Sequence, residues 1–258
     1  MAIYRRSIQP KTIKIETPKP KNGEKTFKHS GDMGDLIYSL PVIKYLKGAS
    51  CLYLNPDGLP LPKYDGSRSG LDKHMIAFLK PLLEAQDYID EVRTWSGEKV
   101  DIDLDQFRKK GIQYHRVNLC QAILGVFKVP FKITYEPWIE VKPKKRVAST
   151  VFSRTKRYRN TKIDLRPYLV KYPNSAFIGL FDEWYMFCKQ VGHIKYHQVS
   201  NALEMGEVIN QADLFIGNQS FPMSLAIAMH KPFIQEVYPI CQNCIFQRPE
   251  ATYLIKPE

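Results

Sequence analysis

Nothing in this chain approaches the run of ~20 apolar residues that a membrane-spanning helix requires. The opening Met1-Ala2-Ile3-Tyr4-Arg5-Arg6 lacks the apolar centre of a secretory signal. Cysteine is scarce: five in 258 residues, an odd count without framework spacing, which suits a reducing compartment. From these absences a soluble, cytoplasmic protein without a transmembrane segment is expected. The six histidines form no Ser/His/Asp order of the hydrolytic kind. Acidic residues are also in deficit, with 26 Asp and Glu against 38 Lys and Arg.

What is present is globular. Hydrophobic content of 44% and charged content of 25% exclude a disordered chain. The length allows one large domain or two small ones, each with a real core. The net charge of +12 is concentrated in two places. One is the stretch up to Lys28. The other runs from Lys142 to Lys171 and is opposed by Asp164 alone. Such patches attract phosphorylated ligands or polyanions, although a merely solvated surface has the same composition.

Residues 1–24, with Pro10, Pro18 and Pro20 among lysines, read as a basic lead-in arm. Thr26 to His29 suits a short strand, Asp35 to Lys47 a helix, and Ala49 to Leu54 a second strand. Asn55 to Gly70 is rich in proline and glycine and reads as a long loop. Met75 to Leu83 suits a helix, Tyr88 to Val92 a strand, and Asn118 to Leu124 a helix ended by Gly125. Tyr135 to Lys144 has the composition of an interdomain crossing. Beyond it, strands are expected at Val147–Phe152, Ala176–Leu180, Ile194–Val199, Leu214–Asn218 and Pro232–Val237. Helices are expected at Asp182–Gln190, Ala202–Gln211 and Ser220–Met229, and a helix or turn at Leu165–Tyr172. Strand–helix alternation of this kind predicts parallel sheets with right-handed crossovers. The fold class is therefore α/β, with two Rossmann-like lobes, residues 25–140 and 141–258, and ligands expected outside the carboxyl ends of the strands.

The stretch His29-Ser30-Gly31-Asp32-Met33-Gly34-Asp35-Leu36 reads as a glycine turn opening a helix. Gly31 and Gly34 permit positive φ and close backbone approach. The helix start offers N–H groups beside two carboxylates, Asp32 and Asp35, a corner that can hold an anion or present a base. An Asp-capped helix after a loop fits the same residues. His29 borders the turn, either touching substrate or serving only the loop.

Together with Ser39-Leu40-Pro41, this stretch resembles the N-terminal signature of heptosyltransferase-type enzymes, glycosyltransferase family nine. Asp213-Leu214-Phe215-Ile216-Gly217-Asn218-Gln219-Ser220, followed by Pro222 to Ala226 and Lys231-Pro232, resembles that family's donor-site segment. The resemblance implies a GT-B architecture, two Rossmann-like lobes facing across a cleft, with the acceptor mostly on the first lobe and a nucleotide-sugar co-substrate mostly on the second. It implies inverting transfer with no required cofactor or metal. By motif position Asp35 is the general base and Asp32 its alternate, with Gly31, Met33 and Gly34 forming an acceptor-side loop. Arg154, Lys156, Arg157 and Arg159 follow the first strand of the second lobe and, with Gly217, Asn218, Gln219 and Ser220, are expected to grip the donor phosphates. The acceptor is expected to be a saccharide, a lipopolysaccharide or, given the charge, a modified base in nucleic acid. Three positions depart from the family pattern: Asn218 replaces an aspartate, Phe221 a glycine, and Ser224 a histidine.

Two other patterns carry possible chemistry. Asp101-Ile102-Asp103-Leu104-Asp105 offers hard oxygen ligands for a divalent cation, or an exposed strand edge. Cys241-Gln242-Asn243-Cys244 is a single Cys-x-x-Cys with no second ligand pair, so a structural turn is expected. The alternative of a different class is a basic nucleic-acid-binding protein that keeps a GT-B-like fold without the chemistry.

Overall fold

The structure is a computed structural model describing residues 25–62, 68–110, 117–142 and 144–256. The expected lead-in arm, residues 1–24, lies outside the described residues. The first half runs β1 (Thr26–His29), α1 (Met33–Tyr45), β2 (Cys51–Leu54), β3 (Leu59–Pro62), β4 (Arg68–Ser69), α2 (Lys73–Glu84), β5 (Val92–Thr94) and β6 (Ile102–Asp103). A 3₁₀ helix (Leu104–Lys110), α3 (Leu119–Val126) and a second 3₁₀ turn (Phe131–Tyr135) complete it. The second half runs β7 (Thr150–Ser153), α4 (Arg166–Lys171), β8 (Ser175–Phe177), α5 (Phe181–Gln190), β9 (Lys195–Tyr196) and α6 (Ala202–Gln211). It closes with β10 (Leu214–Asn218), α7 (Phe221–Ala228), β11 (Phe233–Glu236) and β12 (Ala251–Leu254).

Each half builds a wholly parallel sheet. The first has the order β5-β2-β1-β6, the second β9-β8-β7-β10-β11-β12. The second order is that of a six-stranded dinucleotide-binding sheet, whose ligand site lies at the switch point where the order reverses. That point is between β7 and β10, where Ser153 and Asn218 end their strands. The corresponding reversal in the first sheet lies between β1 and β6, at His29 and Asp103.

Two helices join the sheets. Residues 36–43 of α1 and every residue of α7 are buried, so neither helix has a solvent face. Such helices are core elements, and α1 packs on α7 while α2 packs on α6. One continuous apolar cluster results, running from Phe27 and Leu36 through Trp138 to Phe215 and Phe233. A second cluster, including Phe152, Phe177, Phe187 and Ile216, covers the outer face of the second sheet under α5.

The crossing is pinned rather than loose. Trp138 is fully buried. Its indole N–H donates to the Ile37 carbonyl at 2.9 Å and its amide to the Ala228 carbonyl at 3.0 Å. Its own carbonyl accepts from the Tyr88 hydroxyl at 2.5 Å. One residue thus ties α1 to the end of α7.

Most expected elements form within a few residues of their anticipated bounds, and four corrections stand out. The expected loop 55–70 contains the β3–β4 antiparallel pair. The strand expected at Tyr88–Val92 forms instead at Val92–Thr94, where Val92 pairs with Leu52. Helix α3 runs through Gly125 to Val126. The last strand, β12, is Ala251–Leu254, a four-residue stretch for which no element was expected and which pairs in parallel with β11.

Because the core is continuous, the two halves are expected to unfold as one unit. Trp138→Ala should lower stability by about 3–5 kcal/mol in urea titration, with a single transition followed by both fluorescence and circular dichroism.

Candidate active site

The turn after β1 is shaped by close approach. Neither Gly31 nor Gly34 has positive φ, which corrects the expectation from sequence. A Cβ on Gly31 would overlap the Arg108 guanidinium and stand 3.0 Å from Nε2 of His29, so a side chain here would require Arg108 to move. A Cβ on Gly34 would stand 3.9 Å from the Ser224 hydroxyl, which shows how near the first turn of α1 comes to α7.

Asp32 occupies the N-cap position of α1, yet its side chain makes no capping bond. Its Oδ1 accepts from the Gly70 amide at 2.8 Å, and its Oδ2 pairs with Nη1 of Arg157 at 3.0 Å. The second contact crosses from one sheet's loop to the other's. Asp35, in the first turn, pairs through Oδ2 with Nη2 of Arg108 at 2.5 Å. Met33 is the first helical residue and half-buried.

Arg108 was not anticipated. It lies on the 3₁₀ helix, 73 residues from Asp35 in sequence, with no motif around it. Only its spacing of three from Asp105 hints at a shared face. Behind it, Asp105 is buried, with Oδ1 3.6 Å from Nε of Arg108 and 4.0 Å from Nδ1 of His29. Lys28 approaches Asp105 at 3.7 Å and Asp103 at 3.4 Å. His29 is fully buried beneath the turn and does not reach solvent. Burial, outweighing the attraction of Asp105, lowers its proton affinity and favours the neutral ring. Burial pushes Asp105 the other way, but His29, Ser30 and Arg108 together hold it below the usual carboxylate range.

The Asp101–Asp105 pattern therefore disperses. Asp101 accepts from the amide and hydroxyl of Thr26, while Asp103 and Asp105 face lysine, histidine and arginine. Among the described residues no three His, Cys, Asp or Glu side chains converge as a metal site would require.

The expected phosphate grip divides in two. Arg157 faces the cleft, stacked on Tyr158 with 4.8 Å from guanidinium carbon to ring centre. Arg154 turns inward and forms a bidentate pair with the buried Glu236, at 2.6 and 2.9 Å. Arg159 donates to the Thr155 carbonyl at 2.8 Å. Lys156 pairs with Asp182 on the exposed start of α5.

Asn218 explains its own departure from aspartate. Its amide nitrogen donates to the carbonyls of Thr155, Arg157 and Tyr158 at 3.1, 2.6 and 3.3 Å. Its oxygen accepts from the Thr155 amide at 2.9 Å. A carboxylate would oppose three carbonyl oxygens, so this loop needs an amide. Gly217 is dictated by contact, since a Cβ there would stand 2.4 Å from the Ser153 carbonyl. Gln219 holds the next loop, donating to the Cys241 carbonyl at 2.5 Å and accepting from the Tyr238 amide at 2.7 Å. Ser220 sits at the N-cap of α7, its hydroxyl donating to the Asn218 carbonyl rather than capping. Cys241 and Cys244 lie in that loop as free thiols; burial raises both, Cys244 to about 12, so each stays protonated.

Chemically, two carboxylates and two arginines meet where the N-termini of two buried helices converge. The helix ends favour negative charge, and Arg157 adds a planar fork suited to phosphate.

No protein-family model matches the sequence, and no curated protein matches it either. Solved structures do match in fold. The glycosyl transferase family 9 structure from Veillonella parvula superimposes with a TM-score of 0.55 at 10% identity, covering 89% of this chain and 84% of that one. The E. coli heptosyltransferase WaaC with ADP-2-deoxy-2-fluoro heptose gives 0.55 at 8% identity, covering 90% and 93%. The chain has the GT-B fold. The iron-containing dodecameric glycosyltransferase TibC from enterotoxigenic E. coli gives 0.53 at 13% identity, and this chain spans 64% of its length. At such identities the likeness establishes the GT-B architecture expected from the sequence.

Two outcomes follow for the loops and the buried histidine. Asn218→Asp should cost about 1–3 kcal/mol in urea unfolding, because three carbonyls lose their donor. His29 resists protonation in the folded state, whereas the unfolded chain takes up that proton near pH 6.5. Stability should therefore be full above about pH 6.5 and fall below it, and His29→Gln should flatten that part of the profile. The half-buried His230, lowered by burial and by Arg248, supplies the remaining slope.

Proposed function

We propose that this protein is a glycosyltransferase that moves a sugar from a nucleotide-sugar donor to an acceptor hydroxyl. The observation that carries this reading is the meeting of Asp35 and Asp32 on α1 with Arg157 and the α7 N-terminus across one cleft. The GT-B likeness, and the nucleotide-sugar analogue named with WaaC, support the same direction.

In the proposed reaction the acceptor hydroxyl binds on the side of the Gly31–Gly34 turn. Asp35 takes the hydroxyl proton as the oxygen attacks the anomeric carbon. Its Oδ2 is held by Arg108, which fixes the carboxylate's orientation, while Oδ1 faces the acceptor. The bond from the anomeric carbon to the phosphate oxygen breaks, and the nucleoside diphosphate departs with the electron pair. Arg157 and the α7 amides offset the charge that builds on the leaving phosphate. Attack opposite the leaving group inverts the anomeric centre. The protein's own cations take the role that a divalent metal plays in other transferases. Asp32 presents Arg157 across the cleft and releases it to the diphosphate. The acceptor class is a saccharide, to which the basic surface adds preference for a phosphorylated one.

The test is transfer or donor hydrolysis across a panel of nucleotide-sugars. Asp35→Asn should reduce kcat by about 10²–10⁴ while leaving donor Kd unchanged. Arg157→Gln should weaken donor binding by about 1.5–3 kcal/mol. Full turnover in Asp35→Asn would overturn the base assignment, and an absence of any nucleotide-sugar binding would overturn the function.

A further inference from the structure

Arg108 meets Asp35, and a second carboxylate stands on the same arginine. The 3₁₀ helix that carries Arg108 is anchored by Leu104 and Phe107, both fully buried. With three residues per turn, side chains three apart lie one above the other, so Asp105 and Arg108 share a face. Oδ1 of Asp105 stands 3.6 Å from Nε of Arg108, while Nη2 of that guanidinium reaches Oδ2 of Asp35 at 2.5 Å. The guanidinium lies over the Phe107 ring, 4.4 Å from its centre. One cation is thus shared by two carboxylates, Asp105 buried and Asp35 partly exposed.

Asp105 is held in its charged form. Against the cost of burial, His29, Ser30 and Arg108 keep it below the usual carboxylate range, and Lys28 stands 3.7 Å from its Oδ2. Its amide donates to Oδ1 of Asp103 at 3.0 Å, which fixes the start of the helix.

The arrangement answers a conflict in the chemistry of a base. A guanidinium alone beside a carboxylate orients it, but also stabilises its charged form and so weakens its pull on a proton. A second carboxylate behind the guanidinium keeps the orientation and offsets the charge.

We propose that Asp105 is a positioning residue for the transfer: it fixes Arg108 beside Asp35 and offsets that arginine's charge, so that the base is oriented without being disarmed. This rests on the reading of Asp35 as the base of a glycosyl transfer. The other ionisable groups around Asp35 do not supply the offset. Burial makes Tyr38, Tyr158, Cys241 and Cys244 hold their protons more tightly, and it favours the neutral ring of His29. Asp32 is paired with Arg157 across the cleft.

The experiment is the pH dependence of donor hydrolysis by the full chain, with each variant checked by circular dichroism. The probe is whichever ADP-, UDP- or GDP-sugar the wild type cleaves fastest, followed by release of the nucleoside diphosphate with water as acceptor. Asp105→Asn should lower kcat at least about tenfold and leave the donor KM within about twofold. It should also move the acid limb of kcat/KM to lower pH by at least about half a pH unit. Arg108→Gln should move that limb the opposite way, a reversal of sign that loss of structure alone does not produce. Asp105→Glu keeps the charge and should leave the limb in place. Should Asp105→Asn not fold, the double variant Arg108→Gln/Asp105→Asn removes both charges together and is compared with Arg108→Gln, against which its limb should again lie lower. A limb that stays put or moves to higher pH when Asp105 loses its charge would overturn the proposal and leave the function standing. No turnover of any nucleotide-sugar by the wild type would overturn the function, and this proposal with it.

Discussion

Helix α1 lies against α7, and each side chain of the cleft takes its position from that contact. Both helices are buried along nearly their whole length, so their packing is fixed by apolar volume rather than by the polar groups at their ends. A dense core does not deform continuously. At Gly34 the first turn of α1 lies beside Ser224 of α7, with room for ordinary contact and no more. Trp138 locks the arrangement from the opposite end by bonding to Ile37 and Ala228. The switch points of two sheets are thereby held on one cleft, which neither sheet could make alone.

Charge then determines what that cleft can do. Asp35 and Asp32 stand on the same turn and would repel each other, yet each faces its own arginine. The two arginines differ in origin. Arg108 belongs to the same half as Asp35 and is backed by Asp105 and the neutral His29, which makes it a fixed orienting group. Arg157 arrives from the opposite half on a loop held by Asn218 and pairs across the cleft with Asp32. In the proposed transfer Asp35 stays in place as the base, and Arg157 exchanges Asp32 for the leaving diphosphate.

How much of this was legible in the sequence varies by element. Helix α6 formed at its anticipated bounds, because Asn201 caps it and its apolar residues recur at helical spacing. Strand β10 was equally plain, as a short apolar run ended by Gly217. Strand β12 was not, since Thr252 and Tyr253 favour a strand but a four-residue stretch is too short to stand out without the β11 edge it pairs with. The β3–β4 pair was hidden in a segment whose prolines and glycines read as loop. At the site, the positions of Asp32 and Asp35 were readable from the glycine turn. The partners were not: Arg108 is brought to Asp35 by tertiary packing alone. The arginine cluster was visible as charge, but which arginine faces the cleft depends on the loop's path. That path is set by the carbonyls Asn218 collects, and composition carries no trace of it.

The central claim is that the cleft between α1 and α7 holds a nucleoside diphosphate. Amide chemical-shift mapping of the isotopically labelled protein, titrated with nucleoside diphosphates and nucleotide-sugars, tests it most directly. The account predicts saturable shifts confined to residues 30–35, the Arg157 loop and residues 217–221. Unmoved amides at residues 30–35 and 217–221 under saturating ligand would contradict it.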